Sequence, residues 1–173
     1  GPAEKVQGDP VREERRIIGP EEVEERILPL LEAGALVPLR VTGTSMAPFL
    51  RDRRDMVYLR SPALLPYREG DILFFRRRDG SWVLHRLWQA EGERLVMNGD
   101  AQTWFETAVP GQVAGVVEQI GRKGGRPAPA RRWDRELVRR LWRALFPLRP
   151  WLLRQMGRCG KLLRLLSGGE RKR

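Results

Sequence analysis

Cysteine, histidine and tyrosine are scarce in this chain of 173 residues, which holds one, one and two of them. A single cysteine, Cys159, excludes an intrachain disulfide. One cysteine and one histidine are also too few for the usual zinc ligand set, so neither a metal nor another cofactor is implied. Long apolar runs are missing as well. The longest stretch without a charge, Thr107–Val117, is 11 residues and contains Pro110, Gly111 and Gly115, whereas a membrane-spanning helix takes about 20 apolar residues. Near the N-terminus, Glu13, Glu14, Glu21, Glu22, Glu24 and Glu25 occupy the place where a secretory signal would need its apolar centre. The expectation is a soluble or peripheral cytoplasmic protein, in contact at most with the inner face of the membrane.

Charge is plentiful but unevenly spread. Residues 1–120 hold 16 Lys/Arg against 19 Asp/Glu, and residues 121–173 hold 17 against 3. A mildly acidic body therefore carries a strongly basic C-terminal segment. Such a segment attracts lipid headgroups, nucleic acid or acidic peptides through the same Coulomb attraction. Nucleic acid is disfavoured because no recognition fold accompanies the charge.

The punctuation of the chain suggests five parts. Residues 1–19 read as a flexible polar N-terminus, with Gly1-Pro2 resembling the scar of a cleaved tag. Pro20 followed by Glu21 and Glu22 starts a helix that should reach about Glu32 and stop at Gly34, with a kink expected at Pro29. Then come short extended pieces at 36–42, 56–60, 71–76, 82–89, 95–98 and 113–120, separated by Pro, Gly and Asp-Gly turns. These predict a mainly β fold, a small and strongly bent antiparallel domain over 20–120. Residues 121–131, rich in Gly, Pro and basic side chains, read as a linker. Residues 132–166 predict a basic amphipathic helical appendage, and 167–173 a frayed tail. The apolar face of the appendage, with Trp133, Leu137, Val138, Leu141, Trp142, Leu145 and Phe146, either covers the β-domain or lies in a membrane interface with the arginines outside.

The segment Val41-Thr-Gly-Thr-Ser-Met-Ala-Pro-Phe-Leu50 carries the chemistry. Gly43 permits a close backbone approach to a reacting carbonyl, and the N–H groups around Ser45 can serve as oxyanion donors. A serine hydroxyl needs a base within reach, and His85 is the chain's one histidine. A strand over 82–89 places Val83, His85 and Leu87 on one face. Met46, Pro48 and Phe49 would line a substrate groove or pack. Asp71 reads as a turn brace, and Arg76-Arg77-Arg78 as a solvated hairpin edge.

Four blocks stand in a recognisable order: Gly43-Thr-Ser45-Met46-x-Pro48, Arg68-x-Gly70-Asp71-Ile72, His85-Arg86 and Asn98-Gly99-Asp100. Together they resemble the signal peptidase I and SOS-repressor serine peptidase superfamily over Val41–Ile120, about half of the chain. Histidine at the dyad position resembles the endoplasmic-reticulum and archaeal branch. The resemblance implies Ser45 as nucleophile, His85 as general base and an extended peptide substrate. It implies Asp100 as the third member, with Glu106 as the competing orienter of the ring. Two departures stand out. Gly43 replaces the serine usual in the histidine branch, so the oxyanion hole would come from the backbone at Gly43, Thr44 and Ser45. No apolar run before Ser45 matches the family's membrane anchor.

The expected function is a serine endopeptidase cutting a peptide or leader segment after small residues, with an acid limb near an apparent pKa of about 6–7. The alternatives are a catalytically silent peptide-binding module, or a self-processing regulator cut at Ala33-Gly34.

Overall fold

The structure is a computed structural model that describes residues 19–167, so the expected flexible N-terminus and nearly all of the expected tail lie outside the described residues. The N-terminal helix, α1, comprises Pro20–Glu22, a π-type segment Val23–Ile27 and Leu28–Glu32. Pro29 has no N–H to donate to the preceding turn, and the wider π segment just before it absorbs the misfit. The helix therefore continues through Pro29 and stops at Gly34, whose φ of +84° suits a residue without Cβ. Val23, Ile27 and Leu31 are its buried stripe.

Among the described residues eight strands form one antiparallel sheet: β1 (Val37–Arg40), β2 (Asp55–Arg60), β3 (Ile72–Arg76), β4 (Trp82–Glu91), β5 (Arg94–Asn98), β6 (Glu106–Ala108), β7 (Val113–Arg122) and β8 (Ala128–Pro129). Their order is β1-β2-β7-β3-β4-β5-β6, with β8 on β7. Successive side chains of β3 face opposite sides. Ile72 and Phe74 join Val57, Leu59, Val117 and the α1 stripe in one core, while Leu73 and Phe75 join Leu87, Leu95, Met97 and Val116 in another. With both faces of β3 buried, the sheet wraps around two cores. Register shifts at Tyr58/Leu59, Phe74/Phe75 and Leu87/Gln89 supply local bends.

Two strands were not anticipated. β6 is only three residues long, and β8 lies in the stretch read as a linker. That stretch is folded: β7 runs on to Arg122, Ala128 pairs with Ile120, and Arg131 grips Asp71 at 2.9 and 2.5 Å. Asp71 also accepts the Arg68 N–H, so it braces its turn and holds the start of the appendage.

The appendage is α2 (Trp133–Ala144), a 3-10 turn Phe146–Leu148 and α3 (Arg149–Ser167). The orientation of α2 corrects the expectation that its leucines cover the β-domain. Arg135 bonds the carbonyls of Ala128 and Pro129, Arg143 bonds that of Trp88, and Trp142 Nε1 donates to Asp100 O at 2.9 Å. Leu137, Val138 and Leu141 face solvent at 64, 50 and 59% exposure. The cause is the surface beneath, which offers backbone carbonyls that arginine satisfies and leucine cannot. Trp142, Leu145 and Phe146 of the expected apolar face are partly buried.

Arg149 fastens the end of this clamp. It is 1% exposed and donates to Asn98 Oδ1 at 2.6 Å and Gln102 O at 2.8 Å. The guanidinium lies 4.7 Å from the Phe146 ring centre and 5.5 Å from that of Trp142. Arg149→Met keeps the stem but strands these acceptors, so urea unfolding of the full chain should show a loss of roughly 3 kcal/mol. A loss below about 0.5 kcal/mol would mean that the clamp does not hold the fold.

Candidate active site

The turn carrying Ser45 is pinned at several points. Gly43 sits at φ +83°, a conformation L side chains rarely adopt, and its N–H donates to Asp52 Oδ1 at 2.8 Å. Met46 and Leu50 are buried at 2 and 0% exposure. Ala47 N–H closes the turn on Thr44 O at 3.1 Å. Gly43 is thereby corrected as an oxyanion donor, because its N–H is spent on Asp52. The N–H groups of Thr44 and Ser45 take no partner among the described residues.

A second turn, Asn98–Gln102, supports the first. Ala101 N–H donates to Ser45 O at 2.9 Å. Gly99 is packed so closely that a Cβ there would lie 2.7 Å from Ser45 O and 2.8 Å from the Gln102 side chain. Asn98 Nδ2 bonds the carbonyls of Gln102 and Trp104, and Arg149 closes the far side.

His85 lies on β4 opposite Leu73 and is 1% exposed. Glu106 on β6 pairs with Met97 of β5, which pairs with Leu87 of β4. Alternation therefore puts Glu106, Met97, Leu87 and His85 on one face. Glu106 Oε1 lies 2.5 Å from His85 Nδ1, a close charged contact, although Nδ1 has no well-formed hydrogen bond. Arg77 holds the same carboxylate with two bonds of 2.8 Å. Burial pushes the His85 ring below its ordinary value, against the pull of Glu106. Burial alone would raise the Glu106 carboxyl, but Arg77 and His85 outweigh it and hold the group below the usual carboxylate range. Of the Arg76–Arg78 run, Arg76 and Arg78 are exposed, as the reading of a solvated edge expects, whereas Arg77 is drawn inward. Arg77 grips Glu106, and Arg76 pairs with Glu24 at 2.9 Å.

Asp100 does not reach the ring as its orienter. It accepts two bonds from Arg86, at 2.8 and 2.7 Å, while Arg86 also holds Gly70 O at 2.7 Å. Arg86 and Asn98 are register partners, and Arg86 points to the face opposite His85. The carboxylate against the ring is Glu106. Phe49 is corrected as a groove residue, since it packs edge-on against Trp142 at 6.1 Å and under Arg86. Pro48 is half-buried beside it, and Met46 is core first, touching the groove only from below.

A cleft of about 130 Å³ adjoins Ser45, lined by Val23, Leu39–Gly43, Met46, Phe74 and Trp82–Leu84. A wider depression of about 770 Å³ lies beyond Trp82 and does not include Ser45. No hydrogen bond joins Ser45 Oγ to His85. No cluster of three or more His, Cys, Asp or Glu side chains that could hold a metal occurs among the described residues. Comparisons with family models, with curated proteins and with solved structures gave no match to this chain.

The close approach at Gly99 gives a direct test of the support turn. Gly99→Ala must displace the Ser45 backbone or the Gln102 side chain. If the site acts on peptides, turnover should fall at least about tenfold, with the chain still folded by circular dichroism. Unchanged turnover would show that this contact does not position Ser45.

Proposed function

We propose that this chain is a serine endopeptidase in which Ser45 is the nucleophile, His85 the general base and Glu106 the group that orients the ring. The observation that carries the reading is the buried His85 with a carboxylate 2.5 Å from Nδ1. That contact favours the tautomer with Nδ1–H and leaves Nε2 as the basic nitrogen. Ser45 Oγ attacks the scissile carbonyl carbon and passes its proton to Nε2. The oxyanion takes the N–H groups of Thr44 and Ser45. The imidazolium returns the proton to the leaving amine, and water then releases the acyl group by the same route in reverse.

Two open strand edges support an extended substrate. β1 pairs only with β2 among the described residues, and β4 meets β5 only from Arg86 onward, so Trp82–His85 keep one edge unpaired. Both edges border the cleft beside Ser45, where a strand-like peptide could add its own hydrogen bonds. The small volume, with Trp82 stacked on Phe74 at 4.9 Å, favours small side chains near the cut bond. Self-cleavage at Ala33-Gly34 is poorly supported. That bond sits in the closing turn of α1, with Gly34 O held by Arg60 at 2.9 Å, and it is not extended.

The missing Ser45–His85 hydrogen bond favours a second reading, a peptide-binding module that does not cut. Catalytic hydrogen bonds often form only once substrate is bound, so the first reading requires the bond in the complex. Mass spectrometry of a peptide library incubated with the protein separates the two. Endopeptidase function predicts cleavage after small residues, reduced at least about 10³-fold by Ser45→Ala and by His85→Ala. Cleavage that survives both substitutions removes the mechanism; binding with no cleavage by the unaltered chain leaves the module.

The titration of His85 sets the pH profile. The base must be neutral, so kcat/KM rises with pH through its pKa, and burial places that limb below the ordinary histidine value of about 6.5. Arg77→Met removes a cation that disfavours the imidazolium. The limb should move upward by about half a unit or more. A limb unmoved by Arg77→Met would assign it to another group.

A further inference from the structure

The arginine-down setting of α2 leaves an apolar stripe that no described residue covers. Leu137, Val138 and Leu141 are each at least half exposed, and Leu148 and Trp151 beyond them are both 54% exposed. Stripes of this kind are uncommon on a finished surface and mark a face that meets another phase or partner. We propose that the outward face of α2, with the start of α3, is a docking surface for an anionic lipid bilayer.

Charge complementarity selects that occupant. Arg132 just before α2, Arg140 on it, and Arg154 and Arg158 on α3 are exposed. The only acids of the segment 121–173 are Asp134, Glu136 and Glu170. Glu136 is engaged by Arg139 and Arg140, and Asp134 by Arg132. A second copy of this chain would bring a like-charged segment against the same face, which repels. A negative headgroup layer instead neutralises the arginines, while leucines and Trp151 enter the boundary between headgroups and acyl chains. No helix among the described residues is long and apolar enough to cross a membrane, so the contact is with the surface.

The attachment beneath this surface is rigid. Trp142, Arg143 and Arg149 tie α2 and the start of α3 to Asp100, Trp88 and the Asn98–Gln102 turn. Docking would therefore hold the Ser45 turn at a fixed position relative to the lipid. The docking itself does not depend on whether Ser45 cuts anything.

The test is flotation of the full chain with vesicles of phosphatidylcholine alone and of phosphatidylcholine mixed with phosphatidylglycerol, at low and moderate salt. Binding to the mixed vesicles should exceed binding to the neutral ones at least tenfold. The doubly substituted Leu137→Glu/Leu141→Glu chain should lose at least tenfold of it, with unchanged circular dichroism and unchanged peptide cleavage or binding. Three results would overturn the proposal: no flotation of the unaltered chain on mixed vesicles, binding that the two glutamates leave intact, or self-association in light scattering that they abolish without any lipid binding. If the double variant misfolds, Leu137→Ser/Leu141→Ser takes its place with the same expected loss.

Discussion

The bond from Ala101 N–H to Ser45 O, made possible by the missing side chain at Gly99, is the constraint on which the candidate site depends. It joins two turns remote in sequence. Each is then fixed by charge: Asp52 holds Gly43 beneath Ser45, Arg86 holds Asp100, and Arg149 holds Asn98 and the Gln102 carbonyl. Asp100 and Arg149 are buried, and buried charges are costly unless each finds partners; Asp100 meets the Arg86 guanidinium, and Arg149 meets the oxygens of Asn98 and Gln102. The sheet supplies the platform and the arginines set the turns upon it.

Glu106 is placed differently. It faces the Arg77 guanidinium and the His85 ring, and Arg77 takes it with better geometry than His85 does. The arginine keeps the carboxylate ionised and stationary, while its own charge discourages the imidazolium. A ring kept neutral by burial and held by an ionised acid suits a proton acceptor. The same arrangement would serve a binding groove less obviously, since nothing in peptide binding calls for a buried base.

Much of the frame was legible from residue patterns. The helix start at Pro20, its stop at Gly34 and six of the strands follow from proline, glycine and period-two alternation. β6 was hidden because three residues are too few to show a period, and β8 because two residues of Ala-Pro within a glycine-rich run carry no strand signal. The identity of the carboxylate at His85 could not be read from spacing. Asp100 and Glu106 both lie within reach along the chain, and only the register β4–β5–β6 decides between them. Arg77 and Arg149 had no local signature either, since arginines are common in this sequence and their partners lie 29 and 51 residues away. The facing of α2 was left open between two readings for a general reason: an amphipathic pattern shows that two faces differ, and the chemistry of the surface beneath decides which one packs.

The Arg149–Asn98 link bears on how the molecule comes apart. The ladder of the sheet takes no partner from α2 or α3, so it could persist when those helices lift away. Such a partly opened chain would look intact by its β content, yet its serine turn would have lost the buttress that sets its register. Quality checks that measure only secondary structure would miss that failure, whereas the fluorescence of Trp142, packed against Phe49 and bonded to Asp100, would report it.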